Sequence, residues 1–293
     1  METTLSPVKA LTSLSNSSLA AELRAFAAVI KRDWLHFVRY PTWIIALIIW
    51  PVIFPATYVL SARALAGPDG AGLQRFLQVA GTSNFLGYIV VGTTVWMWFN
   101  MTLWNVGFAM RGEQLHGTLE SNWLSPTWRF SFLLGTAPTQ FAIMLVFMAT
   151  TVIEQSLFFG LRFDGSIGLV LLVLAAAVPS IYGIGFAFAS VVTMAREANA
   201  FVYLVRGLVM IFCGITYPLS VLPGWMQNVA EWLPPTVLIR AARAAALNAA
   251  SLEALLPDLI RLLLYGLFWM AAGYFLFTRA ERRARRLGSL GQF

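Results

Sequence analysis

The chain has 293 residues, of which 59% are hydrophobic and only 11% charged, with a mean hydropathy of +0.73 and a formal charge of +7. That balance excludes a soluble globular domain, whose apolar share is about 45–50%, and indicates a multispan membrane protein. The basic residues crowd beside apolar runs rather than forming a stripe with interleaved aromatics, so no nucleic-acid partner is expected, and the single Cys213 offers neither a disulfide framework nor a thiolate metal site.

Residues 1–18 read as a flexible tail and residues 19–41 as a cytoplasmic interfacial helix. Leu23, Phe26, Ile30, Trp34 and Phe37 recur at steps of three and four, while Glu22, Lys31, Arg32, Asp33 and Arg39 lie largely elsewhere around the wheel. The apolar side either lies in the membrane interface, with Trp34 at headgroup level, or packs on the chain's own bundle or a partner. Tyr40-Pro41 then turns the chain into the membrane. No cleavable secretory signal is expected, because about forty mostly polar or amphipathic residues precede the first long apolar run.

A helix needs about twenty apolar residues to cross the hydrocarbon core. Six segments meet that length: Trp43 to Leu60, Asn84 to Phe108, Phe132 to Phe158, Gly168 to Val192, Asn199 to Leu219 and Pro257 to Thr278. They are continuous runs rather than alternating ones, which favours helices over a barrel. The fold class expected is an all-α membrane protein with six transmembrane helices between residues 42 and 279. An N-terminal interfacial amphipathic helix precedes them, and short re-entrant or external helices lie between the fifth and sixth spans.

Pro51 and Pro55 each remove a backbone donor from the first span, so a kinked or loosened helix is expected there. Gly183, Ala187 and Ser190 let another helix approach the fourth span closely, within the molecule or at a subunit interface. The prolines of Tyr217-Pro218 and Leu222-Pro223 should stop the fifth span and open an external segment over 218–256. Its apolar pieces are too short to cross, and Trp225 and Trp232 suit a headgroup boundary. Residues 280–293 form a basic tail.

With an even number of spans both termini share a side. That side would carry Lys9, Arg24, Lys31, Arg32, Arg39, Arg111, Arg129, Arg196 and Arg279 through Arg286, against Arg63, Arg75, Arg162, Arg240, Arg243 and Arg261 opposite. The bias makes both termini and the loop 111–129 cytoplasmic, in the cell inner or plasma membrane.

Catalytic and energy-coupling motifs are missing from the sequence. Lys9 and Lys31 are the only lysines and neither follows glycine, so there is no phosphate loop. His36 and His116 lack metal-ligand spacing, and no G-x-S-x-G elbow occurs. Within the spans only Glu154 and Arg206 are ionisable well inside a run. A structural role, with Arg206 reaching cytoplasmic headgroups and Glu154 snorkelling or pairing with Arg162, stands beside a functional one. Asp258 and Arg261, three apart, read as a local pair.

Four features together resemble the permease subunit of type-2 ATP-binding-cassette exporters. They are the interfacial helix with Lys31-Arg32-Asp33-Trp34 and Arg39-Tyr40-Pro41; the loop from Glu113 through Gly117-Thr118-Leu119-Glu120 to Ser125-Pro126; Cys213-Gly214 to Tyr217-Pro218 with Leu222-Pro223; and Leu233-Pro234-Pro235-Thr236 with Arg240 and Arg243. The likeness covers roughly residues 20 to 280, and Asn122-Trp123 and the doubled Pro234-Pro235 depart from the family pattern.

The resemblance implies a half-transporter that pairs with a second permease, identical or related, and with two cytoplasmic ATPase subunits. ATP and Mg would sit on those subunits, with no cofactor and no catalytic or metal site on this chain. The coupling element would be Glu113, Leu115, Gly117, Thr118, Leu119, Glu120 and Trp123 or Leu124, with the leucines and Trp123 supplying buried contacts, the glutamates setting orientation and Gly117 permitting close backbone approach. Trp96, Asn100, Trp104, Arg206 and Tyr217 are candidate pathway residues. Asn100 and Asn105 serve either as cargo contacts or in helix-helix hydrogen bonds. The aromatic spans suit hydrophobic drugs, lipids or lipid-linked molecules, with polysaccharide or lipid-linked glycan as the alternative cargo. Outside the class stands an ATP-independent scramblase or membrane enzyme.

Overall fold

A computed structural model describes residues 19–65, 71–82, 84–119, 122, 128–195 and 198–287. Among the described residues all regular structure is helical. In chain order the helices are α1 (Leu19–Arg39), α2 (Pro41–Leu65), α3 (Ala71–Ala80), α4 (Phe85–Asn105), α5 (Ala109–Leu115), α6 (Phe130–Phe159), α7 (Ile167–Met194), α8 (Ala198–Phe212), α9 (Gly224–Glu231), α10 (Pro234–Leu247) and α11 (Leu252–Leu287).

Five helices are long and apolar enough to cross a membrane: α2, α4 with its continuation α5, α6, α7 and α11. The predicted fifth span is shorter than its apolar run, because α8 ends at Phe212 after 15 residues. At about 1.5 Å per residue it reaches about 22 Å, against roughly 30 Å of hydrocarbon. Gly214, at φ +60°, ends it, rather than Pro218.

The released carbonyls are collected by Arg243 of α10, whose Nη1 donates to Gly214 O at 2.9 Å and Nη2 to Ile215 O at 2.7 Å. The same guanidinium holds Tyr88 O of α4 at 3.2 and 3.0 Å and lies 3.4 Å from the centroid of the Tyr88 ring. Gly92 makes this approach possible, since a Cβ there would stand 2.0 Å from Ile215 O. The external segment therefore enters the bundle. Helix α10 is buried along most of its length and packs on α4, α7 and α11. Its doubled proline occupies the first helical positions, where a missing N–H leaves no intrahelical bond unmade.

The prolines of α2 are compensated in the same way. Pro51 and Pro55 lack the N–H groups that would bond the carbonyls four residues earlier, at Leu47 and Pro51. Helix α6 answers the second: the buried Gln155 Nε2 donates to Pro51 O at 3.0 Å, whereas the single hydroxyl proton of Thr150 lies nearer Phe147 O of its own helix, at 2.9 Å, than Leu47 O, at 3.4 Å. Helix α2 stays helical through both prolines, docked on α6.

Helices α7 and α11 form the most extensive helix pair, joined through glycines. A Cβ at Gly183 would meet the Trp269–Met270 backbone at 2.6 Å, and one at Gly273 would meet Gly183 O at 2.8 Å. Gly183 thus serves packing within the molecule. Helix α3 was not foreseen, being a short amphipathic helix whose Phe76 meets Phe85 and Tyr88 edge-on. The predicted Asp258–Arg261 pair does not form. Arg240 instead forks onto Asp258 at 2.7 and 3.1 Å and reaches Glu231, which also takes Arg261 at 3.1 Å. A planar guanidinium from a neighbouring helix matches the carboxylate on two sides, which a residue three positions along the same helix does not. Glu154 does not bridge to Arg162 among the described residues.

Two substitutions test this account. Gln155→Leu should lower stability by about 1 kcal/mol in detergent, and an unchanged unfolding midpoint would mean that Pro51 O has another donor. Arg243→Leu strands three carbonyls and should cost on the order of 3 kcal/mol, with faster proteolysis between Cys213 and Trp225; a native digestion pattern would remove Arg243 from this role.

Candidate functional site

At one end of the bundle α4 breaks at Val106–Phe108, where Val106 N and Gly107 N both reach Thr102 O, and α5 carries the chain out to a turn. The turn is held by Glu113. Its Oε1 accepts from Arg32 Nη1 of α1 at 2.7 Å; its Oε2 accepts from Thr118 Oγ1 at 2.5 Å and Asn122 Nδ2 at 2.7 Å; its carbonyl accepts from Thr118 N at 3.0 Å. One carboxylate thus gathers the turn and fastens it to the interfacial helix. Arg32 is shared with Asp33, 3.0 Å away. Burial pushes the Asp33 carboxyl above its ordinary range, Arg32 pulls it back, and Glu113 pushes it up again.

Two further ties close the loop. Glu22 of α1 accepts from Trp128 N and Ser131 Oγ, each at 2.8 Å, which places its carboxylate beside the N-terminus of α6, where a negative charge is favoured. Arg129 pairs with Glu281 of α11 at 3.1 Å. Helix α1 also docks along α6, with Val29 against Gly135 and Thr139 Oγ1 donating to Ile30 O at 3.3 Å. Leu23, Trp34, Leu35 and Val38 stay exposed.

The predicted coupling residues separate into inward and outward ones. Glu113 and Thr118 face each other. Leu119 turns into the chain's own core at 2% exposure, whereas Leu115 stands out at 71%. Gly117 is required by its φ of +70° rather than by close packing, since a Cβ there meets nothing within 4 Å. Glu120, Trp123 and Leu124 lie outside the described residues, as do residues 1–18 and 288–293 of the two tails. Sequence reasoning missed Glu22, Arg129, Asn122 and Glu281 and gave Arg32 no partner. The available signal was an acid-base complement between the polar side of α1 and the loop.

The predicted pathway residues largely converge. Trp96, Asn100 and Trp104, at four-residue steps, form one stripe along α4 facing α8. The Arg206 guanidinium lies 5.2 Å from the Trp96 ring centroid and 5.4 Å from that of Tyr203, and Tyr203 meets Trp104 edge-on at 5.7 Å. Phe54 of α2 stacks on Trp96 at 4.9 Å. Trp96 Nε1 and Asn100 Oδ1 are buried without a hydrogen-bond partner. Asn105 is used between helices, donating to Gln140 Oε1 of α6 at 3.0 Å. Tyr217 stands apart in the turn after α8, its hydroxyl donating to Ile211 O.

Among the described residues no cluster of three or more His, Cys, Asp or Glu side chains is placed to hold a metal ion. A comparison with protein families matches the chain, over residues 73–275, to the family described as ABC-2 family transporter protein. The chain belongs to that family. A comparison with curated proteins finds no match. The family and the apolar helices together make this an integral membrane permease component of an ATP-binding-cassette transporter, a class that works with an ATP-binding subunit. The matched region includes both the Glu113 turn and the Arg206 stripe.

In this ABC-2 permease the Arg32–Glu113 pair is half in water, with side-chain exposures of 45% and 18%. Its coupling energy, from a double-mutant cycle of Arg32→Ala and Glu113→Ala in thermal unfolding, should therefore be about 0.2–1 kcal/mol. A zero coupling would detach α1 from the turn.

Proposed function

We propose that the chain is the membrane half of an ATP-driven exporter, working as a pair with a second copy or a related permease and with two ATPase subunits. The loop 111–129 is the docking element for the ATPase, and it lies with both termini on the cytoplasmic side. ATP and Mg belong to the partner subunit, since the sequence carries no phosphate loop. Helix α8, short as it is, serves as a sixth crossing, with the Gly214 turn and α9 and α10 completing the far side.

One observation carries the reading. The turn that exposes Leu115 is tied to α1 by Glu113 and Arg32, α1 is tied by Glu22 to Trp128 and Ser131 at the start of α6, and Arg129 there pairs with Glu281 of α11. A load placed on the turn therefore reaches one interfacial helix and two spanning helices through short, charge-assisted contacts, as an energy-coupling element requires. The Lys and Arg bias supports a cytoplasmic position. Leu115 provides the apolar contact that a partner would bury. The cargo is amphipathic, lipid-like or drug-like, and its route includes the α4–α8 stripe of Trp96, Asn100, Trp104 and Arg206.

Gentle purification of the tagged permease should bring an ATPase with a phosphate loop along with it. Leu115→Asp should remove that ATPase, or its stimulation by cargo by about tenfold, while the permease elutes and unfolds as the native chain does. Undiminished co-purification and stimulation would exclude the turn as the docking element.

A further inference from the structure

Arg206 is the charged group of this chain whose position the packing explains least. It sits midway along α8, beside Trp96 at the middle of α4, and within electrostatic reach of Tyr58 on α2. A guanidinium at such depth ordinarily pairs with a carboxylate, takes backbone carbonyls or runs its stem to the headgroups. Arg243 shows the second solution, with three carbonyls around it, and Arg240 the first, with Asp258 and Glu231. Among the described residues Arg206 has neither, and it rests on the faces of Trp96 and Tyr203.

The surroundings are an aromatic seam at the edge of the core, with Tyr203 exposed on its outer side. Helix α4 is its floor, with Trp96, Asn100 and Trp104; Phe54 and Tyr58 of α2 form one wall and Tyr203 and Arg206 of α8 the other. Arg206 is only half-buried, so its donors remain open. Trp96, 3% exposed, holds an indole N–H with no acceptor, and Asn100 holds a buried amide oxygen with no donor. An amide rotates to present either atom, so the floor offers a hydrogen-bond donor at each of the two positions. Ring faces hold the cation without using its N–H donors.

We propose that this seam is the subsite for the anionic headgroup, a phosphate ester or carboxylate, of an amphiphile drawn from the bilayer, with Arg206 as the pairing cation and the unmatched Trp96 and Asn100 groups beneath it as donors uncovered when the headgroup enters. The guanidinium fork matches two oxygens of such a group, and the low dielectric strengthens the pairing. The apolar part of the molecule lies against the aromatic walls and the exposed isoleucines of α2, Ile45, Ile48, Ile49 and Ile53. As the cargo subsite of the exporter, the inference rests on the permease reading above.

The test is binding to the purified full chain in detergent, which needs neither ATP nor the ATPase. Native mass spectrometry would count bound phosphatidic acid and diacylglycerol with identical chains, with inorganic phosphate as competitor. The native chain should prefer phosphatidic acid by about tenfold, the worth of one charge-assisted hydrogen-bonded pair. Arg206→Gln should abolish that preference and leave diacylglycerol unchanged. Arg206→Lys, which keeps the charge but loses the fork, should retain part of it. Equal binding of the two lipids by the native chain overturns the proposal whatever the variants do, as does an undiminished preference in Arg206→Gln. Displacement of phosphatidic acid by millimolar inorganic phosphate would show a free-anion site and overturn the amphiphile. Such failures leave ATPase co-purification untouched, and loss of co-purification leaves these binding ratios untouched.

Discussion

The grip of Arg243 on Gly214, Ile215 and Tyr88 is the interaction on which the far half of the molecule depends. In an apolar medium a carbonyl that leaves a helix has no water to turn to, and each unmatched one costs several kcal/mol. Gly214 makes the exit from α8 sterically possible, and Arg243 makes it energetically possible. Because the guanidinium belongs to α10, ending α8 and burying α10 are one event. The same economy governs α2, where Gln155 of α6 answers the Pro51 carbonyl that Pro55 leaves open. At these two places a side chain of a neighbouring helix supplies the missing donor.

The opposite end is organised by charge rather than by carbonyl capture. Glu113, Glu22 and Arg129 each bridge elements far apart in sequence, and their partners Arg32, the α6 N-terminus and Glu281 lie around the same turn. Individually these half-exposed contacts are weak. Together they leave the turn little freedom to shift without moving α1, α6 or α11. Among the described residues of the turn, Leu115, His116, Gly117 and Thr118 face outward.

Between the two ends runs α4, the most enclosed of the spanning helices. One side of it is spent on the core, through Trp98, Phe99 and Leu103. Another side carries Trp96, Asn100 and Trp104, where polar atoms go unmatched and a cation rests on ring faces. Here two unmatched polar groups and a guanidinium without a carboxylate lie side by side, which is the feature the proposed headgroup subsite rests on.

Much of this was legible in one dimension. Hydropathy and length located five crossing helices to within a few residues at most of their ends, since an apolar run of about twenty residues has few other stable states. The four-residue spacing of Trp96, Asn100 and Trp104 put them on one face, and the glycine of α7 announced a close neighbour without naming α11. The end of α8 was not legible, because Ile215 and its neighbours remain apolar and only a guanidinium nearly thirty residues later makes stopping favourable. Nor was the pairing of charges: a single sequence shows that Glu113, Arg32, Asp258 and Arg240 exist, but Coulomb energy depends on separation in space, and only packing brings Arg32 to Glu113 and sends Asp258 to Arg240 instead of Arg261. Composition and periodicity, being local, determined that this is a helical membrane protein and which faces are apolar. Contacts between residues distant in the chain decided where helices stop, which charges meet, and that among the described residues Arg206 rests on ring faces rather than on a carboxylate.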